Sequence, residues 1–166
     1  MADLSPGYRK RSGLGVEADV SPSQRKDMVR ETPIRTVLEA LAAESVSAPH
    51  QLQVLCDRRL SASLYEARRI SSVVREAVSN ALKHAFPPER DGQIWINLTD
   101  EKGKRTLTIR DNGVGMRDLP REATGGRALI ERQAAELGGV ASMQSAPFVG
   151  SVVRLTYRVR DVGPGT

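Results

Sequence analysis

The sequence predicts an α+β fold: a two-layer α/β sandwich in which one mostly antiparallel sheet carries helices on one face. Two observations point there. The segments follow one another as helix, strand, helix, two strands, helix, two strands. The central helix carries one apolar stripe, while the strands after it alternate with a period of two, so each layer has a face to bury against the other. At 166 residues, 39% hydrophobic and 27% charged, the chain has the size and balance of one globular domain.

Residues 1–31 mix Ser, Gly, Pro and charge without either period and read as a flexible tail. The domain is expected over 32–160, with a short C-terminal tail over 161–166. Thr32-Pro33 reads as a helix start, with Thr as cap and Pro in the first turn. Ile34, Val37, Leu38, Leu41 and Ala42 then recur at helical spacing. Pro49 closes that region, and Gln51–Asp57 alternates as a strand. The strongest helix is expected from about Tyr65 to Phe86, with Ile70, Val73, Val74, Ala77, Val78, Ala81, Leu82 and Ala85 along one stripe. Pro87-Pro88 stops it. Gln93–Leu98 and Arg105–Arg110 alternate around the turn residues Asp100-Glu101-Lys102-Gly103, a hairpin. A glycine-rich turn and a loop holding Pro120 lead to a helix from about Gly126 to Leu137, capped by Gly138-Gly139. Strands at Val140–Gln144 and Ser151–Val159 close the chain.

Composition excludes several classes. No apolar run approaches the ~20 residues of a membrane helix, so membrane insertion is not expected. The polar N-terminus lacks the apolar core of a secretory signal. One cysteine, Cys56, and two histidines, His50 and His84, cannot assemble a structural zinc site. The expected compartment is a reducing cytoplasm. The net charge of +5 is scattered along the chain and interrupted by acids, and aromatics make up only 4%, so no nucleic-acid partner is expected.

Three short constellations carry chemistry. On the long helix, ~100° per residue places Glu76, Asn80, Lys83 and His84 in one arc beside the apolar stripe. An ordinary solvated face could hold them. Together, however, they offer a neutral oxygen ligand for Mg²⁺, a phosphate-binding ammonium and a carboxylate able to accept a proton. Second, Asp111-Asn112-Gly113-Val114-Gly115-Met116 follows a strand directly. Its glycines allow close ligand approach, and the Asp111 carboxylate can accept from the exocyclic amine of adenine, where guanine would present a second acceptor. Alone this pattern is also an ordinary Asp-Asn-Gly turn. Third, Thr124-Gly125-Gly126-Arg127 opens a helix, where exposed N–H groups and the helix dipole suit an anion; a plain loop-to-helix turn reads the same way. Ser151 opens the last strand, as a strand start or as a hydroxyl near Asp111.

In this order the pieces resemble the GHKL ATPases, the superfamily of histidine kinases, gyrase, heat-shock chaperones and mismatch-repair ATPases. EAVSNALKHAF resembles the N-box, DNGVGM the first glycine box, TGGRALIERQAAELGG a shortened second one, and GSVVRLTY the last sheet strand. The resemblance spans about residues 35–160 and fits the ATP-binding catalytic domain of bacterial sensor histidine kinases, with its Bergerat-type fold. It implies ATP and Mg²⁺ as cofactors. It gives Asn80 as the Mg²⁺ ligand, Glu76 as the catalytic, polarising residue near the γ-phosphate, and Lys83 and His84 as phosphate contacts. It also implies that Asp111 reads adenine, that Gly113 and Gly115 shape that wall, that Gly125 and Gly126 lie under the ATP lid, and that Ser151 replaces the usual threonine. Here the second box runs Gly125-Gly126-Arg127-Ala128-Leu129 rather than Gly-x-Gly, and Arg117–Thr124 makes a short lid. Neither histidine suits a phosphoacceptor: His84 lies in the N-box, and His50 follows Pro49 without the His-x-x-x-Asn pattern on a long helix. The implied activity is therefore γ-phosphoryl transfer in trans to a partner protein in bacterial signal transduction. The alternatives are an anti-sigma-factor-type serine kinase and an ATP-dependent regulatory module; a homodimer is a further possible assembly under any of these readings.

Overall fold

The computed structural model describes residues 21–23, 31–45, 50–88, 90–117 and 125–159. Most of both expected tails, Pro49, Pro120, Thr124 and most of the expected lid lie outside the described residues. The elements are β1 (Glu31–Pro33), α1 (Ile34–Ser45), β2 (Gln51–Cys56), β3 (Ser61–Ser63), α2 (Leu64–His84), β4 (Gln93–Glu101), β5 (Lys104–Asp111), α3 (Gly125–Glu136), β6 (Val140–Ala146) and β7 (Gly150–Arg158).

The main sheet has five strands in the order β2-β4-β5-β7-β6. Only the β2–β4 pair is parallel; β4–β5, β5–β7 and β6–β7 are antiparallel. The α+β sandwich read from the sequence is the observed architecture. The stripe of α2 (Ile70, Val73, Val74, Ala77, Val78, Ala81) packs on Ile94, Ile96 and Leu98 of β4, Leu107 and Ile109 of β5, and Val153 and Leu155 of β7, all buried. Alternate residues of these strands, such as Thr99, Arg110 and Arg154, face the other way, as expected of an antiparallel sheet covered on one side.

Helix α2 starts at a capping signal: the Ser63 hydroxyl accepts from the Glu66 N–H at 3.1 Å. The Glu66 carboxylate turns into the core instead of back to the cap. It accepts from Arg105 Nη1 and from the Tyr157 hydroxyl. Arg105 also donates to Asp100 Oδ2 at 2.9 Å and to the Ser61 carbonyl at 2.8 Å. A buried cation is tolerable only with such partners, and this network ties α2, β3, β4, β5 and β7 together at the end of the sheet away from the glycine-rich turn. Burial and the Glu66 carboxylate push the Tyr157 hydroxyl well above its ordinary range, so it stays a donor.

The helix start expected at Thr32-Pro33 is corrected. Both residues belong to β1, which pairs antiparallel with β3 through Thr32↔Ala62 and Pro33↔Ser61. The helix begins at Ile34, whose N–H donates to the Leu60 carbonyl at 3.2 Å. A tertiary partner overrides the local cap signal, and three-residue β3 has too short a pattern to announce itself in sequence. The β4–β5 hairpin turns on Lys102 and Gly103, both at positive φ (52° and 78°), two residues rather than four.

Candidate nucleotide site

The C-terminal half of α2, the end of β5, the turn after it, the start of α3 and the β6–β7 hairpin surround one cavity of about 250 Å³. Its floor is apolar, with Ala81, Ile94, Ile109, Met143 and Val153. The polar groups stand at its rim. Asn80, His84, Asp111, Gly115, Gly126 and Ser151, six of the residues singled out in the sequence, all line it. Glu76, Lys83, Gly113 and Gly125 do not. Lys83 is exposed on the last turn of α2, and Gly125 opens α3 at φ 55°.

Two side chains are aimed by their neighbours. Asn80 Nδ2 donates to Glu76 Oε1 at 3.1 Å, one turn away. That bond uses the amine end and leaves the amide oxygen free. Glu76 itself is pressed against the first turn of α3: a Cβ on Gly126 would overlap its Oε1. A carboxylate there is stabilised by the orphan N–H groups and positive end of the helix. At the other end, Asp111 Oδ1 accepts from the Gly113 N–H at 2.9 Å and the Ser151 N–H at 3.2 Å. Oδ2 makes no hydrogen bond among the described residues, so it is the acceptor left for a ligand.

Burial raises the Asp111 carboxyl above its ordinary value of 3.8, against the lowering effect of its two backbone donors and Arg110. Two pH effects of opposite sign follow. The unliganded fold binds this proton more readily than the unfolded chain, so Asp111 destabilises it at neutral pH, and that penalty disappears as pH falls from the raised value toward 3.8. Ligand acceptance instead needs the ionised carboxylate. Adenine-nucleotide affinity is expected to fall on acidification, starting at a higher pH than an unperturbed aspartate would give. A calorimetric pH series should show this limb in the native chain and not in Asp111→Asn.

The glycine-rich turn is pinned on three sides. Asn112 exchanges two bonds with Gln93 of β4, donating its N–H at 3.2 Å and accepting at Oδ1 at 2.8 Å. The Val114 N–H donates to the Ala85 carbonyl at the end of α2, 2.8 Å, and the Val114 carbonyl accepts from the Phe148 N–H at 2.7 Å. Gly115, at φ 64°, sits where a Cβ would overlap the Ala146 carbonyl, so the hairpin closes on the turn only because that side chain is absent. Sequence reasoning missed Asn112 and Ser145 as site-building residues. Ser145 shares the inward register of β6 with Ala141 and Met143, a polar residue on an otherwise apolar face, and that alternation was the available signal. Ser151 does reach Asp111, but through its backbone N–H.

For Mg²⁺, the donor set fits a nucleotide-borne ion. The free oxygen of Asn80 is a hard, neutral ligand, and among the described residues no cluster of three or more His, Cys, Asp or Glu competes to hold a metal alone.

A helix-borne amide and a buried strand-end carboxylate thus face each other across an apolar cavity. The model for the histidine kinase-, DNA gyrase B- and HSP90-like ATPases matches residues 65–161. The chain belongs to that family. It is 31% identical over 109 residues to the anti-sigma F factor of Bacillus velezensis, covering 59% of this chain and 73% of that protein. It is 35% identical over 89 residues to the nitrate/nitrite sensor protein NarQ of Escherichia coli, covering 52% of this chain and 15% of NarQ. In structure it resembles the histidine kinase domain of the Erythrobacter litoralis EL346 blue-light activated histidine kinase, with a TM-score of 0.64 at 22% identity, over 76% of this chain and 59% of that one. It also resembles the Acinetobacter baumannii histidine kinase AdeS, with a TM-score of 0.63 at 18% identity, over 80% and 68% of the two chains. At these identities the structures share the fold. No helix among the described residues is long and apolar enough to cross a membrane.

Proposed function

We propose that this ATPase-family chain binds Mg²⁺-ATP and transfers the γ-phosphoryl group in trans to a residue of a partner protein in cytoplasmic bacterial signalling. The observation that carries the reading is the placement of Asn80 and Asp111 on one cavity, each with one oxygen left unbonded by its neighbours. Asp111 Oδ2 would accept from the adenine amine. The apolar floor would cover the base, and the first turn of α3 would meet the phosphates. Asn80 Oδ1 would hold Mg²⁺, which when bound neutralises phosphate charge. Glu76 holds the Asn80 amide in that orientation, and His84 and Lys83, at the exposed end of α2, supply polar and positive groups on the phosphate side.

A second reading is favoured by one observation. The anti-sigma F factors of Bacillus velezensis and Bacillus subtilis are each matched over 73% of their length, which supports a serine kinase or an ATP-controlled binding protein of that type.

The test is labelling with γ-labelled ATP, first of the chain alone and then with cell extract. No acid-labile label is expected on the chain itself. His84 sits on the nucleotide-facing helix, and His50 precedes β2 and is stacked on Phe86 at 4.9 Å, whereas in-line transfer needs an acceptor about 3–3.5 Å from the phosphorus, opposite the leaving oxygen. Label on a second protein, lost with Asn80→Ala, is the expected result. Acid lability there indicates histidine, and acid stability indicates serine or threonine. A phosphohistidine at His50 in the isolated chain would refute transfer in trans.

A further inference from the structure

The helices pack on one face of the main sheet, and the other face is open among the described residues. The strand registers lay out the side chains of that open face in rows. Arg110 on β5 stands between Trp95 on β4 and Val152 on β7, with its guanidinium 5.7 Å from the centre of the Trp95 ring. In the next row, Arg154 on β7 stands between Thr108 on β5 and Ser142 on β6. Two rows further, Arg158 on β7 is directly opposite Lys104 on β5. All four cations are exposed.

These charges lack counterparts. Arg35, Arg59, Arg69, Arg75, Arg105 and Arg127 each pair with an acid. Arg110, Arg154, Arg158 and Lys104 make no ion pair among the described residues. Glu101, opposite Lys104 at the hairpin end, is the one acid that the five strands place on this face. Like charges directly opposite weaken a ladder, and Lys104 with Arg158 is such a pair. Arg110 and Arg154 are diagonal neighbours, with Cβ atoms about 7–8 Å apart, so both can reach one carboxylate or two adjacent ones. Arg158 lies four residues beyond Arg154 on β7, about 14 Å along the strand.

We propose that the open face of the sheet docks an acidic segment of a partner protein, with carboxylates meeting Arg110 and Arg154 at one end and Arg158 and Lys104 at the other. Guanidinium groups take carboxylates bidentately. Thr108, Thr156 and Ser142, between the cations, add hydroxyl donors and acceptors for a protein surface. A second copy of this chain is the wrong occupant, because two such faces would meet cation to cation. Nucleic acid is commonly held through about 6–10 phosphates or on several aromatic platforms, whereas Trp95 stands alone here. An anionic membrane would draw on apolar groups beside the cations, but Leu55 and Val140, the large apolar residues most exposed on this face, stand on the opposite edge strands β2 and β6. The surface would act whether or not the chain transfers phosphate.

The test uses the full chain and, as probe, a Glu- and Ala-rich peptide without aromatic residues. Trp95 is the chain's one tryptophan, so its emission reports on this face. Titration at low ionic strength is expected to change that emission in a saturable way, and added salt to weaken binding. Arg154→Glu combined with Arg158→Glu should weaken binding by about 10-fold or more, because two attractive contacts become repulsive. Arg68→Glu combined with Arg132→Glu, at exposed positions of the helical layer, changes net charge equally and should stay within about 3-fold. Thermal melting checks the fold of each variant. The sheet variant removes the Lys104–Arg158 like-charge pair and should melt no lower than the native chain. If it does not fold, Arg154→Gln combined with Arg158→Gln takes its place, with an expected loss of about 5-fold. An equal loss in the helical-layer variant, or binding that leaves Trp95 emission unchanged, overturns the proposal. Failure to bind the peptide also overturns it. In that case, a DNA duplex or a phosphatidylglycerol vesicle that binds the native chain and is released by the sheet variant would assign the face to nucleic acid or to membrane.

Discussion

Asn80→Ala is expected to lose the Mg²⁺ dependence of ATP binding and to lower phosphoryl transfer by about 10²-fold or more, the scale seen when one preorganised electrostatic contact to developing charge is removed. The substitution deletes the amide oxygen that the hydrogen bond from Asn80 Nδ2 to Glu76 leaves free. Its neighbour should behave differently. Glu76→Ala is expected to keep nucleotide affinity within about tenfold of the native chain while transfer falls by about 10²-fold. Glu76→Gln separates two causes. Glutamine retains an oxygen that can accept from Asn80 Nδ2, so it preserves the amide's orientation and removes only the charge. Transfer restored in the glutamine variant would make Glu76 a positioning residue, whereas transfer still lost would make its carboxylate part of the chemistry. Titrating ATP with and without Mg²⁺ and measuring label transfer for the three variants decides among these. Unchanged turnover in Glu76→Ala would favour the ATP-controlled binding protein.

Asp111→Asn is expected to weaken ATP binding by about 1–3 kcal/mol, roughly 5–150-fold, and to erode or reverse the preference for adenine over guanine. The reason lies in which oxygen is occupied. The Gly113 and Ser151 N–H groups both point at Oδ1. In the variant those two donors select the amide oxygen, and the amide NH₂ takes the place of Oδ2. A donor then faces the adenine amine, a repulsive pairing, while the guanine carbonyl finds a partner. Competition between ATP and GTP, measured by calorimetry on native and variant protein, checks the switch. Equal affinity of the native chain for the two nucleotides would remove Asp111 as the base reader.

The parts of this site that sequence makes legible are those where residue type alone limits the conformation. Two glycines within five residues of a strand-terminal aspartate mark a tight turn, and Gly115 takes φ 64° where a side chain would overlap the Ala146 carbonyl. The stripe of α2 places Asn80 on the flank of a buried helix, because a period of 3.6 is a local property of the chain. Other features depended on partners distant in sequence. Arg105 lies in register with Leu107 and Ile109, so alternation alone turns a charge into the core. It is stable there because Glu66, 39 residues away, and Asp100 meet its guanidinium. Thr32-Pro33 carries a sound cap signal and still forms a strand, because Ser61–Ser63 offers a ladder.

By itself, then, the sequence determined the layer architecture, the helix that bears the Asn80 amide and the strand end that bears the Asp111 carboxylate. Periodicity, proline and glycine act within a few residues and are written in order along the chain. Only the tertiary structure decided which oxygen of each group is free. Asn80 presents its oxygen because Glu76 takes its amine, and Asp111 presents Oδ2 because a backbone N–H from β7, 40 residues on, shares Oδ1 with Gly113. Hydrogen-bond capacity is divided among neighbours in space, and the donors and acceptors that remain for a ligand are set only once those neighbours have been brought together.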